Sequence, residues 1–161
     1  MLLTIERVII LKSVGIFSEV PEEDLVEVAS IVEEIEVAAG KEIIKKGDIG
    51  TSMYIIVKGR ARVHDGPKEI AVLPERTVFG ELAALDPEPR AASVSALEDC
   101  ELFMLEEGPL YDLMAEHVEV VRGIIRVLCS RVRDMLRHMP QGKKKEEAEA
   151  GEELTSKKDS D

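Results

Sequence analysis

The spacing of hydrophobic residues divides this chain into helical and extended sections. Near both ends, apolar residues recur every three or four positions, as on one face of an α-helix. From about residue 34 they instead alternate with polar residues or form short β-branched runs between glycines. The helical pattern predicts helices over residues 4–13, from Pro21 onward, near Pro109 and over residues 118–139.

The middle of the chain predicts several short strands joined by turns. The Asp65-Gly66 pair is a favourable hairpin turn. Many short strands with regular turns favour a small barrel or sandwich of the jelly-roll sort, so we expect an α+β chain that is mainly β. The predicted strands are 34–38, 42–45, 52–57, 60–64, 68–73, 91–96 and 100–105.

Length and composition predict one domain followed by a tail. The chain has 161 residues, 45% of them hydrophobic but only 3% aromatic, so the core must be aliphatic. Residues 140–161 contain Lys, Glu, Ala, Gly, Ser and Asp with a single Leu. Such a segment buries too little apolar surface to offset its ordering entropy. We therefore predict a domain over residues 1–139 and a disordered low-complexity tail over 140–161.

Charge and apolar content exclude several classes of partner. The net charge of −12 argues against nonspecific nucleic-acid binding. The sequence has no apolar run near the ~20 residues that span a bilayer, and its start does not resemble a signal peptide, so we expect a cytoplasmic protein without a membrane segment. Cys100 and Cys129 are predicted to be free thiols, and the three histidines show no metal-ligand spacing.

Candidate chemistry is concentrated between Val78 and Val94. Gly80 lacks a Cβ and lets a ligand approach the backbone. Residues 81–85 can form a short helix whose first-turn N–H groups are unpaired, and the prolines that follow prevent its extension. Arg90 then supplies a guanidinium fork. These groups donate hydrogen bonds to an anion, which suits a ligand that carries one phosphate.

Glu81 requires a different partner, because a carboxylate beside a phosphate is unfavourable. A sugar hydroxyl is the natural choice, since it can donate a charge-assisted hydrogen bond. Ala91 and Ala92 follow Arg90, and their small side chains leave room for the ligand.

These residues resemble the phosphate-binding cassette of cyclic-nucleotide-binding domains, as in protein kinase A regulatory subunits and the bacterial catabolite activator protein. The nine-residue step from Glu81 to Arg90 matches cassettes of the protein kinase A type. The upstream run of residues 47–63 is similar to the glycine-punctuated hairpin that precedes the cassette in this family. The resemblance covers about residues 5–138. It implies an eight-stranded jelly-roll β-barrel with N-terminal helices and with C-terminal helices that act as hinge and lid.

The resemblance also implies a site and a ligand. Arg90 would bind the cyclic phosphate and Glu81 the ribose 2′-hydroxyl of cyclic AMP, with cyclic GMP as the alternative. Members selective for cyclic GMP often have Thr where this chain has Ala91, which favours cyclic AMP. No metal, cofactor or catalysis is implied. The expected ligand-binding residues are Gly80, Glu81, Leu82, Ala83, Arg90, Ala91 and Ala92.

The last predicted helix, 118–139, leaves two interpretations open. Its apolar residues form a seam that could pair two chains as a coiled-coil homodimer, or it could cover its own domain. In the family this helix closes over the base, yet here it contains no aromatic cap. Arg126 or Arg133 stacking on the purine is a hypothesis, and a solvated arginine is the alternative. The seam residues are Val121, Ile125, Leu128, Val132, Met135 and Met139.

Other functions remain to be tested. The chain could be an interaction domain that kept the barrel without the nucleotide. A jelly-roll metalloenzyme would need clustered histidines, but His64 is the only histidine in the predicted strand region. No helix-turn-helix follows the last helix, so a sensor of this kind would act on a fused or associated effector.

Overall fold

The computed structural model describes residues 1–139, so the predicted tail of residues 140–161 lies outside the described residues. The chain divides into a compact first unit, residues 1–124, and a second unit that begins at Ile125. The domain boundary at residue 139 stays a prediction.

The predicted helices are present. Two of them, α1 (Thr4–Lys12) and α2 (Glu22–Ile31), bury Leu11 and Leu25 completely, together with Phe17 from the turn between them. Arg7 of α1 donates from Nη1 to Ala29 O of α2 at 2.8 Å, which satisfies a carbonyl near the end of α2. The helices are α1 (Thr4–Lys12), a 3₁₀ turn (Gly15–Phe17), α2 (Glu22–Ile31), α3 (Glu81–Leu85), α4 (Glu107–Glu116) and α5 (Val118–Arg137).

Two four-stranded antiparallel sheets occupy the middle of the chain. The predicted hairpin at Asp65-Gly66 is confirmed, because Asp65 pairs with Lys68 and Gly66 has a φ of +56°. The strands are β1 (Glu33–Val37), β2 (Glu42–Ile44), β3 (Ser52–Lys58), β4 (Ala61–Asp65), β5 (Lys68–Leu73), β6 (Val78–Phe79), β7 (Ser93–Ala96) and β8 (Cys100–Glu106). One sheet has the order β1-β8-β3-β6 and the other the order β2-β7-β4-β5.

The mixed α+β fold with mainly antiparallel strands is confirmed. Within residues 1–139 no strand ladder joins the two sheets, so the closed jelly-roll barrel stays a prediction. The strand expected over residues 91–96 begins only at Ser93, which leaves Ala91 and Ala92 in the preceding loop.

The core is aliphatic and draws on both sheets. Ile56 and Leu102 from one sheet pack with Ile44 and Val94 from the other, and all four are buried. Phe79 joins this cluster and stacks on Tyr54, with 5.2 Å between the ring centroids. Since Phe79 ends β6, this packing fixes the point where the chain enters the candidate site. Among the described helices, none combines the length and hydropathy needed to cross a membrane.

Candidate functional site

The first half of the site is a tight turn from β6 into α3. Gly80 has a φ of +77°, a left-handed conformation that glycine adopts without steric cost. The chain then forms α3 over Glu81–Leu85, which matches the predicted short helix. The Glu81 side chain is buried, with only 1% of its surface exposed. The structure therefore places one carboxylate inside the protein at the start of α3.

The second half is the returning loop that carries Arg90. Its backbone is paired to the glycine-rich segment between β2 and β3. Arg90 N donates to Asp48 O at 2.9 Å, and Gly47 N donates to Arg90 O at 2.9 Å. An isolated bridge between Ile49 and Pro89 extends this pairing. The loop that carries Arg90 and the glycine-rich segment are thus joined through their main chains.

The Arg90 side chain connects both halves of the site. It donates from Nη1 to Gly80 O at 3.0 Å and from Nη2 to Ser52 O at 2.8 Å. These bonds use two of its five N–H donors, so three are left for other acceptors. Both partners are neutral carbonyls, and no carboxylate of residues 1–139 forms an ion pair with Arg90.

This environment makes Arg90 a suitable binding group for an anion. The guanidinium is half-buried, and burial lowers the pKa of Arg90 below its ordinary value. Arginine nevertheless stays charged at neutral pH. A positioned and partly desolvated cation without an acidic partner attracts an anion more strongly than a solvated one does.

Gly50 provides the space in which the guanidinium lies. A Cβ at this position would overlap Nη2 and Nε of Arg90 and would lie 2.6 Å from Cζ. Any other residue would therefore force Arg90 to move. A Cβ on Gly80 would approach Arg90 Nη1 and Ser52 O, each at 3.0 Å.

The remaining predicted site residues line the same loop and helix. Leu82 is 60% exposed, whereas Ala83 is buried. Ala91 is exposed and Ala92 is half-buried. The structure thus brings Gly80 and Arg90 into direct contact and leaves the side chains of Leu82 and Ala91 open to a ligand.

Two links from the cassette to α4 were not predictable from the sequence. The Glu106 carboxylate, at the start of α4, accepts hydrogen bonds from Ser52 Oγ at 2.7 Å and from Thr51 Oγ1 at 3.1 Å. The Tyr111 hydroxyl donates to Leu85 O at the end of α3. Both contacts join residues more than 25 positions apart, and no local pattern announces such pairs.

Two other features, an acidic cleft and a buried histidine, do not provide a further site: the cleft does not suit an anion, and the histidine is not available to bind a metal. A cleft of about 560 Å³ next to β1 and β8 is lined by Glu36, Asp99, Glu101 and Lys58, and its three carboxylates would repel a phosphate. The buried His64 has both ring nitrogens engaged within the protein. Nδ1 lies 2.9 Å from Gly66 O, and Nε2 lies 2.8 Å from Ser95 Oγ.

The chain matches a known family over its central part. The family model described as "Cyclic nucleotide-binding domain" matches residues 34–117, which contain both sheets, the glycine-rich segment and the candidate site.

Individual relatives agree with this match. The CRP-like cAMP-activated global transcriptional regulator of Mycobacterium tuberculosis is 25% identical over 129 residues, covering 77% of this chain and 58% of the relative. The cyclic AMP receptor protein of Thermus thermophilus is 33% identical over 100 residues, covering 59% of this chain and 46% of the relative. This chain thus spans about half the length of these relatives.

A solved structure shows the same similarity. The regulatory domain of Toxoplasma gondii PKA, crystallised with cAMP, superposes with a TM-score of 0.62 at 29% identity. The match covers 68% of this chain and 43% of that one.

Proposed function

This chain belongs to the cyclic nucleotide-binding domain family, and from that premise we propose that it is a regulatory module that binds a cyclic purine nucleotide, cyclic AMP in the first place. The observation that carries the proposal is the state of Arg90. Its guanidinium is held by two neutral carbonyls, is partly desolvated and forms no ion pair among the described residues. A phosphodiester anion is a suitable counter-charge for it.

Arg90 binds the cyclic phosphate in this proposal. Its three remaining N–H donors can reach the phosphate oxygens while Gly80 O and Ser52 O keep the guanidinium in place. The N–H groups in the first turn of α3 add donors, since they have no partner within the helix. Leu82 directly follows Glu81, and Ala91 directly follows Arg90. Both residues are exposed.

Glu81 accepts a hydrogen bond from the ribose 2′-hydroxyl. A buried carboxylate makes a stronger bond than an exposed one, because the local dielectric constant is lower. We expect Glu81→Gln to weaken cyclic AMP binding by about tenfold to a hundredfold, the factor that corresponds to ~1.5–3 kcal/mol for a hydrogen bond to a charged group. Isothermal titration calorimetry measures this change.

A matched ligand separates this role from general damage to the site. Glu81→Gln should hardly alter the affinity for 2′-deoxy-cyclic AMP, because that ligand lacks the hydroxyl. Equal losses for the two ligands would contradict the ribose contact and would indicate a structural role for Glu81.

A substitution at Gly50 tests whether binding depends on the position of the Arg90 guanidinium, because the charge of Arg90 is kept. We expect Gly50→Ala to lower cyclic AMP affinity by about tenfold or more, because the new Cβ displaces the guanidinium from its two carbonyl partners. The same titration measures this effect. If Gly50→Ala left the affinity for cyclic AMP unchanged, Arg90 would bind the ligand in a side-chain conformation other than the one described above. Gly108→Ala in α4 is the control, since a Cβ there meets no atom within 4 Å and the backbone is helical.

Cyclic AMP is preferred to cyclic GMP because Ala91 cannot form a hydrogen bond with the guanine amino group. We propose that Ala91→Thr reduces the ratio of the affinity for cyclic AMP to the affinity for cyclic GMP, since the variant adds a hydroxyl on an exposed part of the cassette loop. The roles of Arg126 and Arg133 as caps on the base stay hypotheses.

We propose α4 as the connection from the site to the C-terminal helix. Arg90 holds Ser52 O, and the Ser52 and Thr51 hydroxyls bind Glu106 at the start of α4. Tyr111 of the same helix binds the end of α3. A ligand that draws Arg90 and α3 together would therefore pull on α4, and α5 begins two residues after α4 ends. Such a movement requires that the ligand binds the two states with different affinities.

The proposed module acts on another domain or protein. Its helices α1 to α5 and a closed jelly-roll of the two sheets would form a sensor without catalysis. The effector can be part of a longer chain or a separate partner. A homodimer through α5 is one way in which movement of that helix would be transmitted.

A further inference from the structure

A single residue, His117, connects α4 and α5. Helix α4 ends at Glu116 and α5 begins at Val118. His117 N donates to Leu113 O at 2.8 Å in the last turn of α4, and His117 O accepts from Val120 N at 3.1 Å in the first turn of α5. Its extended backbone, with φ −128° and ψ 99°, separates the two helices. Whatever holds this residue therefore also holds the beginning of α5.

The His117 side chain reaches across to α2. Only 13% of the side chain is exposed. Nε2 lies 2.9 Å from Glu27 Oε2, and since a carboxylate only accepts, the ring donates this bond. Nδ1 lies 3.8 Å from Asp24 Oδ2, one helical turn earlier in α2. The ring thus spans from the α4–α5 junction to two carboxylates of another helix.

The charged groups that act on the ring are all acidic. Asp24 and Glu27 face it from α2, and Glu116 faces it from α4. One carboxylate oxygen of Glu27, one of Glu116 and a ring nitrogen of His117 lie within 4.8 Å of one another, so the two glutamates repel each other when both are ionised and no positive charge lies between them. An imidazolium supplies that charge. With a neutral ring, the three carboxylates lose this positive charge, and a proton shared between Glu27 and Glu116 offsets only part of the repulsion; that hydrogen bond to Glu27 raises the pKa of Glu116.

We propose that His117 is a proton-operated clasp, which in its protonated form fixes the α4–α5 junction to α2 and which loosens when the proton is lost. Histidine is the side chain whose charge changes near physiological pH, so a small environmental effect is sufficient for this role. The inference depends on the contacts within the first unit alone. It holds whether or not the chain binds a nucleotide.

The direction of the pH dependence follows from the neighbours. The hydrogen bond to Glu27, aided by the nearby carboxylates, raises the pKa of His117 above its ordinary 6.5, although burial acts in the opposite direction. The stabilisation is therefore complete below pH 6.5 and is lost as pH rises through the higher pKa of the folded state. The hydrogen bond to His117 lowers the pKa of Glu27 below 4.5, so acidification breaks the clasp only as pH falls through that lower value.

NMR titration of the histidines from about pH 5.5 to about pH 8.5 tests the clasp on the full chain. We expect His117 to titrate above its ordinary value in the wild type and closer to that value in Glu27→Gln. Over the same range, the hydrogen-exchange protection of the Val120 amide should fall severalfold as pH rises, after correction for intrinsic exchange rates. His117→Gln keeps a donor but cannot titrate, so Val120 protection in this variant should not change with pH.

Two results would overturn the clasp. In the first, His117 titrates at or below pH 6.5 in the wild type, and Glu27→Gln does not change this titration. The other is a Val120 amide whose corrected protection is the same across the titration. Since Glu27 lies in α2 and is exposed, Glu27→Gln should fold normally and keeps the test valid if His117→Gln does not fold.

Discussion

Replacement of Arg90 by alanine is expected to reduce affinity for cyclic AMP by at least about a hundredfold, because two hydrogen bonds to a charged group contribute ~3 kcal/mol or more. The effect should exceed that of any other single change in the cassette. Arg90 also joins Gly80 O to Ser52 O, so the variant loses part of the site's shape together with the charge. Calorimetric titration of wild type and variant measures the difference.

Arg90→Lys is the matched control. Lysine keeps the positive charge but lacks the planar fork, so it cannot hold both carbonyls and the phosphate at once. We expect an affinity between those of the wild type and Arg90→Ala. If Arg90→Ala bound cyclic AMP as tightly as the wild type, the proposed phosphate contact would be wrong.

The second large effect concerns stability and involves Gly123 in α5. A Cβ there would overlap the carbonyl oxygen of Ile16 and would lie 2.8 Å from its carbonyl carbon. Overpacking costs about 1–3 kcal/mol or more, and here the obstacle is backbone, which moves less readily than a side chain. Since alanine favours a helix by up to ~1 kcal/mol, we expect Gly123→Ala to lose about 2 kcal/mol overall.

Thermal unfolding checks this expectation. A loss of about 2 kcal/mol corresponds to a midpoint about 4–8 °C lower for a chain of this size. Gly108→Ala in α4 is the control, because its Cβ meets no atom within 4 Å. That variant should be as stable as the wild type or slightly more stable. A Gly123→Ala midpoint equal to that of Gly108→Ala would show that α5 does not approach the 3₁₀ turn so closely.

The order of helices and strands was predictable because local patterns determine it. The strand predicted over residues 68–73 and the hairpin turn at Asp65-Gly66 depend on alternation and on turn residues, and both are confirmed. Strand β6 was not predicted, because Val78–Phe79 is too short to show any period. Its pairing with β3 depends on long-range contacts.

The candidate site was predictable in its residues but not in its connections. The Gly80–Arg90 segment is compact in sequence, and a family resemblance identifies it. The partners of Arg90 are backbone carbonyls, which any residue type offers, so the sequence could not indicate Ser52. The role of Gly50 becomes visible only once the guanidinium is seen to lie against it. The His117 contacts join residues 90 positions apart and required the fold.

The most direct test of the proposed function is the thermal midpoint of the full chain with and without cyclic AMP. Ligand at about 100 times its dissociation constant stabilises the folded state by ~2.7 kcal/mol. The midpoint should therefore rise by about 5–10 °C with cyclic AMP. It should rise less with an equal concentration of cyclic GMP, and for Arg90→Ala it should rise by no more than about 1–2 °C, because the ligand is then near the dissociation constant of the variant. No rise with either nucleotide at millimolar concentration would contradict the proposed function and would favour an interaction domain that retains this fold without the ligand.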